Sequence, residues 1–346
     1  MSSEGYVKSS KDCCLYTICN GSVKIFLLLY VDDILLFGNC NTELNRLKET
    51  LSKRFKMKDL GKITKYLGMN VEQDLKRGIT KISQTEYLKN ILELYGMSDC
   101  KPLSLPIDKN FKFDTLKRTT SESKEIETKC RKLIGCLMYA VMGSRPDLCA
   151  TVTMLSRFQD CASTMLYKLL KNVLRYIKGT INLKLVYKRD DHNAVKGFVD
   201  SDWGGSPQDR KSTTGYCFKV FNCTVIWSSK KQQSVALSTT ESEYTALSTA
   251  TSEACWLKEL LLEFGISVDC ITLYEDNQSA IKIAHNPANR RVKHLDIKHY
   301  FIKEKLDAGI INIKYLSTSE QISDIFTKPL GGNLFKKFRD KIFNTE

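Results

Sequence analysis

Four acidic residues recur at the ends and faces of successive predicted elements: Asp200 on a strand, Glu243 on a helix, Asp276 closing a second strand and Asp324 opening a late helix. This order constrains the chain more than any other feature, because carboxylates placed so need one another or a cation. Val195–Gly205, VKGFVDSDWGG, reads as a strand running into a glycine-rich turn. Alternation puts Phe198, Asp200 and Asp202 on one face and so does not separate the two acids. A carboxylate at such a strand end leans into a cleft without being buried unpaired. The helix predicted from Thr240 to Phe264 carries two competing acids. Threes and fours from Glu243 give Leu247, Ala250, Ala254, Leu257 and Leu261; from Glu241 they give Thr245, Ser248 and Ser252. Glu243 therefore heads the stripe that packs on a sheet, and Glu241 points away. In CITLYED, Cys270–Asp276, the strand ends on Asp276, and alternation sends Glu275 to the opposite face. Ile310–Leu316 is a β-branched strand. Ser317–Ser319 then offer helix caps, and Asp324 falls in the early turns of SEQISDIFTKPL, before Pro329. Taken singly, each acid has an ordinary reading as a cap or surface charge.

The 346 residues suit two or more domains. A net charge of +14 and a pI near 9.1 point to a polyanionic partner, nucleic acid first. Thirteen cysteines without a CxxC pair give no zinc signature, and the polar Met1–Lys11 has no apolar targeting run. The expectation is reduced thiols in a protein that is not secreted. Ile25–Phe37, the longest apolar run, is split by Asp32 and Asp33 and is too short to span a bilayer, so no membrane partner is expected.

Lys24–Gly38, KIFLLLYVDDILLFG, is a hairpin with Asp32 and Asp33 at its tip, a placement that suits Mg²⁺ held against a nucleoside triphosphate. Leu44–Phe55 is an amphipathic helix by the spacing of Leu44, Leu47, Leu51 and Phe55. Ser98–Thr120 lacks periodicity and reads as a linker. Helices follow at Ser123–Met142, Pro146–Phe158 and Thr164–Ile177, with Pro146 at a helix start. The third has Leu166, Leu169, Leu170, Val173, Leu174 and Ile177 on one side and Lys168, Lys171, Arg175 and Lys178 on the other. That basic side serves equally as a solvated face or as a surface for backbone phosphates.

YVDD resembles the third catalytic motif of reverse transcriptases. With it run MKDLGKITKYLGMNVEQ, GITKISQTEYLKNIL, LIGCLMYAVMGSRPDL and DRKSTTGYCFKVFNCTVIWSSKKQQSVALSTTESEYTAL, in an order similar to the C-terminal part of a copia-type long-terminal-repeat retrotransposon Pol polyprotein. The resemblance covers almost the whole chain. It implies an α/β (α+β) fold: a reverse transcriptase palm remnant over 1–97, a helical thumb and connection over 98–181, and a ribonuclease H-like mixed five-stranded sheet with flanking helices over 182–346. It implies metal-dependent cleavage of the RNA strand of RNA–DNA hybrids, with Asp200, Glu243, Asp276 and Asp324 as catalytic metal ligands; Asp200 is preferred over Asp202 on this ground. Two Mg²⁺ ions roughly 4 Å apart, sharing Asp200, would relieve the repulsion of four carboxylates; Mn²⁺ is the substitute. A cytoplasmic virus-like particle or the nucleus is the implied location.

Two departures stand out. The first metal-binding Asp of the polymerase site has no counterpart ahead of YVDD, so the resemblance implies a polymerase part that is inactive. The loop before the last Asp, STSEQIS, lacks the His that ribonucleases H usually carry. His294 and His299 are the nearest, within a stretch whose Arg290, Arg291, Lys293 and His294 suit a grip on the hybrid backbone. The competing reading is an inactive retroelement copy that only binds nucleic acid. An integrase or transposase of the same fold expects Glu in place of Asp324 and gives no reason for YVDD.

Overall fold

The computed structural model describes residues 5–117, 119–189, 194–286 and 296–345. The chain groups into two compact units, one of Met1–Tyr66 with Ser252–Asp269, the other of Leu67–Thr251 with Cys270–Glu346. Among the described residues no helix is long and apolar enough to cross a membrane.

The first unit is an antiparallel sheet, β1 (Val7–Lys8), β2 (Leu15–Asn20), β3 (Val23–Tyr30) and β4 (Asp33–Gly38), with helix α1 (Asn41–Arg54). Ile25, Leu27, Leu47 and Leu51 form its core, so the leucine spacing of α1 does what it predicts. Phe26 stacks on Phe37 at 5.1 Å and meets Phe264 at 4.8 Å. Tyr30 faces Asp33 across a two-residue turn in which Val31 takes φ 51°, a conformation that β-branched residues resist. A two-residue strand, β5 (Lys65–Tyr66), ends the unit's first segment.

In the second unit, β6 (Met69–Asp74), β7 (Ile79–Ser83) and β8 (Leu185–Lys188) pair antiparallel. Helix α2 (Thr85–Leu94) is unpredicted; α3 (Lys124–Gly143), α4 (Cys149–Ser156) and α5 (Thr164–Gly179) lie close to the predicted positions, although Pro146–Leu148 is a separate 3-10 turn before α4. Ser123 and Ser163 cap α3 and α5 by accepting from Ile126 N and Leu166 N. The apolar side of α5 is buried as its spacing requires. Its basic side is less free: Arg175 donates to the Lys101 carbonyl at 2.8 Å, Lys171 lies over the Tyr167 ring, and of the four cations only Lys168 is fully exposed.

The main sheet has the order β11 (Cys223–Lys231), β10 (Thr213–Val220), β9 (Val195–Asp202), β12 (Ile271–Glu275), β13 (Ile311–Tyr315), with β10 and β11 antiparallel and β9, β12 and β13 parallel. This is the mixed five-stranded, ribonuclease H-like arrangement the resemblance implies. The same unit holds α6 (Thr239–Glu263) as far as Thr251, α7 (Gln278–His285), α8 (Asp296–Asp307) and α9 (Gly332–Phe343). Two expectations need correcting. Asp324 opens no α-helix but sits in a 3-10 turn, Ile322–Phe326, whose Ile322, Ile325 and Phe326 are buried at a spacing too short to extend before Pro329. The late helix is instead α9, unpredicted, which buries Phe335, Phe338, Ile342 and Phe343 in the same core as α3 and α5.

A charged network is sealed inside that core. The Arg145 guanidinium donates twice to Asp147, at 2.9 and 2.7 Å, and once to Thr180 Oγ1; Tyr176 Oη donates to the same carboxylate at 2.7 Å. Arg145 and Asp147 are both almost fully buried. Removing one partner of such a pair strands the other's charge. Asp147→Asn is expected to destabilise the fold by about 3–5 kcal/mol in urea unfolding; a loss below about 1 kcal/mol would show that the network carries no structural weight.

Candidate active site

Parallel pairing of β9 with β12 fixes the centre of the site. Thr272, Leu273 and Tyr274 pair with Lys196, Gly197 and Phe198, so two residues further on Asp200 and Asp276 leave neighbouring strands at the same level. Carboxyl ends of parallel strands are where open α/β sheets bind ligands. Gln321, fully buried, donates from its amide to both the Val199 and Tyr274 carbonyls and so holds the Ile322–Phe326 turn over the gap between those strands. Gly215, opposite Asp200 on β10, leaves room for the same turn: a Cβ there would lie 2.6 Å from Thr327 and 2.9 Å from Phe326. Asp324 is thereby delivered to Asp200.

The carboxylates fall into two groups, in each of which the ligand oxygens lie within 4.8 Å of one another: Asp200, Asp276 and Asp324; and Glu243, Glu275 and Asp276. Asp276 is common to both, where Asp200 was the expected shared residue. The structure overturns the assignment of Glu275 to the face opposite Asp276. That residue lies on the buried face of β12 with Ile271 and Leu273, and the strand ends at Glu275, so alternation no longer places Asp276 opposite it. Its Oε1 accepts from Asn277 N at 3.0 Å. On α6, Glu243 is buried with Leu247, Ala250 and Ala254, while Glu241 turns back to accept from Leu237 N at 2.8 Å. Asp202 shares the face of Asp200 but joins neither group; its carboxylate packs against Gly205, where any side chain would collide.

Hydroxyls and one cation temper the charge. Thr327 donates to Asp200, and Thr318 donates to Asp276 at 2.6 Å. Lys328, not foreseen from the sequence, places Nζ 3.0 Å from Asp324 and 3.6 Å from Asp200. Its position four residues after Asp324 was the available signal. Burial alone would lower its pKa, but Asp200 and Asp324 outweigh burial and raise it. Burial, then the charges of Glu275, Asp200 and Asp276, push Glu243 well above the usual carboxylate range. Burial first, with Asp200 and Asp276 behind it, does the same to Glu275. Burial and the Asp200 charge raise Asp324 to about 7, and burial raises Asp202 to about 6. Among the described residues, Glu243 Oε2 and Glu275 Oε2 are buried without a hydrogen-bond donor. Such oxygens cost folding free energy unless protonated or bound to a cation. The donor set, all oxygen and anionic, fits a hard divalent ion.

Elsewhere, Asp32 and Asp33 are exposed at the hairpin tip, and among the described residues no third carboxylate, histidine or cysteine gathers with them. Arg290, Arg291, Lys293 and His294 lie outside the described residues, as does the side chain of His299.

The carboxylate cluster on a mixed five-stranded sheet defines an α/β protein with a candidate metal site. Residues 1–109 match the family described as reverse transcriptase (RNA-dependent DNA polymerase). The chain is 35% identical over 347 residues to the retrovirus-related Pol polyprotein from transposon TNT 1-94 of Nicotiana tabacum, covering 99% of this chain and 26% of that protein. It is 40% identical over 234 residues to the uncharacterized mitochondrial protein AtMg00810 of Arabidopsis thaliana, covering 67% of this chain and 94% of that protein. A solved ribonuclease H1 from Halobacterium salinarum aligns with 39% of this chain and 94% of its own at 19% identity and a TM-score of 0.30. The chain belongs to the family of retrovirus-related transposon Pol polyproteins, and spans about a quarter of the length of the TNT 1-94 relative.

The raised carboxyls predict how stability follows pH. The native state holds protons that the unfolded chain has lost, so metal-free stability declines as pH rises from 3.8 through about 7 at Asp324. In EDTA the melting temperature should fall by roughly 5 °C or more between pH 5 and pH 8. Asp324→Asn should flatten that slope, and Mg²⁺ should restore more stability at pH 8 than at pH 5. A melting temperature that rises over this range in EDTA refutes the assignment. Lys328→Met, by removing the resident cation, should lower the pH 8 melting point in EDTA and enlarge the Mg²⁺ rescue; calorimetric scans with and without metal decide it.

Proposed function

We propose that this chain hydrolyses the RNA strand of RNA–DNA hybrids, leaving 3′-hydroxyl and 5′-phosphate ends, as the ribonuclease H part of a copia-type element. The observation that carries the reading is the gathering of Asp200, Glu243, Asp276 and Asp324, with Glu275, at the ends of two parallel strands. Asp200, Glu243, Asp276 and Asp324 would hold Mg²⁺, two ions in all, with Mn²⁺ able to replace it; when bound the metal supplies Lewis-acid stabilisation of charge at the scissile phosphate. The chain's own groups do the rest. Buried strand ends and Gln321 keep the carboxylates from spreading under their mutual repulsion. Glu275, with Oε1 tied to Asn277 N, orients the second group from behind. Lys328, half-buried beside Asp200 and Asp324, neutralises the site until a cation arrives and is then free to meet a phosphate. On α5, the exposed Lys168 leads Lys171, Arg175 and Lys178 as a grip on the hybrid backbone, with Arg290, Arg291, Lys293 and His294 as a second. Segments 1–97, 98–181 and 182–346 are read as palm remnant, connector and nuclease, acting in a cytoplasmic particle or the nucleus.

The competing reading, an inactive copy that only binds nucleic acid, is separated by a single-turnover cleavage series on a labelled RNA–DNA hybrid with circular dichroism on each variant. Asp200→Asn, Glu243→Gln and Asp276→Asn should each cut the rate by on the order of a hundredfold or more. Asp324→Asn should be milder and partly rescued by Mn²⁺, Glu275→Gln intermediate, and Glu241→Gln near normal. Hybrid bound but uncut by the wild-type chain in Mg²⁺ selects the inactive reading. Exposed Asp32 and Asp33, lacking a third carboxylate among the described residues, should give no primer extension; templated incorporation abolished by Asp32→Asn would refute that.

A further inference from the structure

The sheet face that carries Asp200 holds a second recess further along. Lys196 and Phe198 alternate onto that face of β9, with Lys196 about 13 Å from Asp200 along the strand. Phe198 stacks on Tyr274, ring centroids 5.2 Å apart and planes 20° from parallel, and both rings are half-buried. This pair floors an open cavity of about 630 Å³, rimmed by Lys196, Lys219 and Lys341. Of the acids at the rim, Glu320 pairs with Lys337 and with the rim's own Lys341, and Asp340 pairs with Arg339, so Lys196 and Lys219 are left without an ion pair among the described residues.

Lys219 is the telling residue. Its Nζ donates to the Lys341 carbonyl at 2.7 Å and to Asn344 Oδ1 at 3.2 Å, and it forms no ion pair among the described residues. Lys196 Nζ, likewise, donates to the Asn222 amide oxygen at 3.1 Å and forms no ion pair among the described residues. Burial, and to a lesser degree Lys196 and Lys341, lower the Lys219 pKa. A half-buried ammonium with neutral partners, set among other lysines, lacks one anion. A stacked aromatic floor beside it suits a base, since every base offers a π-face, and lysines suit a phosphate. The volume is that of a small-molecule site.

We propose that this recess binds one nucleotide of a single strand, its base on Phe198 and Tyr274 and its phosphate against Lys219 and Lys196. A free mononucleotide and the end of a strand share this chemistry. The site works independently of cleavage, so binding is measured with the full chain in EDTA. Fluorescence anisotropy compares a blunt RNA–DNA hybrid, the same hybrid with a single-stranded overhang, and labelled pentathymidylate. The overhang should tighten binding about tenfold. Lys219→Met, Phe198→Leu and Lys196→Gln should each erase that gain and leave blunt-hybrid affinity unchanged. Lys196→Gln, which loses a single exposed contact, guards against misfolding and should leave blunt-hybrid cleavage in Mg²⁺ intact. Competition by uridine monophosphate as strong as by pentathymidylate assigns the free nucleotide as source; stronger competition by pentathymidylate assigns the strand. An overhang without effect, equal binding by wild type and Lys196→Gln, or competition by inorganic phosphate as good as by the nucleotide overturns the proposal.

Discussion

The pairing of β9 with β12 in parallel is the constraint on which the site depends. An antiparallel neighbour would have sent the second strand's end to the far edge of the sheet. Parallel register instead leaves Asp200 and Asp276 side by side, with the crossover between strands supplying Glu243 from α6. The remaining parts answer that placement. Gln321 binds to both strands' carbonyls, Gly215 clears the space above Asp200, and the 3-10 turn lowers Asp324 into it. A helix at the same point would have carried its carboxylate along a straight axis; a short turn docks at one spot.

The electrostatic cost of this arrangement is met in three ways before any metal is considered. Threonine hydroxyls donate to Asp200 and Asp276, Lys328 sits between Asp200 and Asp324, and burial raises the affinity of Glu243 and Glu275 for a proton. None of these satisfies Glu243 Oε2 or Glu275 Oε2. Each device is also reversible. A hydroxyl rotates, an ammonium on a four-carbon stem swings aside, and a proton leaves as a cation enters. A site built from fixed arginine pairs, like Arg145 with Asp147 in the core, would be more stable and closed to exchange.

How much of this was legible in the sequence follows from the range of each signal. The helical stripe below Glu243 is local and periodic, so counting separated it from Glu241. The strands Val195–Asp202 and Ile311–Tyr315 were visible for the same reason. Alternation failed where a strand stops: carried one residue past Glu275, it put Glu275 and Asp276 on opposite faces although their carboxylates gather together. The 3-10 turn at Asp324 is held by a side-chain amide reaching two distant strands, which no local pattern shows. Lys328 was overlooked because a lysine after an acid is commonplace until both meet a second acid across the sheet. Helix α9 carries plain 3.6-residue spacing in Phe335, Phe338 and Ile342, as α2 does in Leu88, Ile91 and Leu92, and counting alone would have found both.

The two carboxylate groups also divide labour in a way that neither strand order nor periodicity implies. Asp276 touches both groups, yet it is the least buried of the five acids and is steadied by an exposed Thr318 hydroxyl from the turn after β13. Asp200 is nearly inaccessible, and its charge acts on Glu243, Glu275, Asp276 and Asp324 alike. One residue therefore adds its charge to every acid of the cluster and another makes the shared contact. Burial is the larger cause at each of these acids, and the Asp200 charge adds to it across the cluster. A half-exposed carboxylate adjusts its rotamer at low cost, so Asp276 is the member suited to follow a ligand that enters or leaves. Separating the two tasks lets the cluster keep its electrostatic character while its geometry yields.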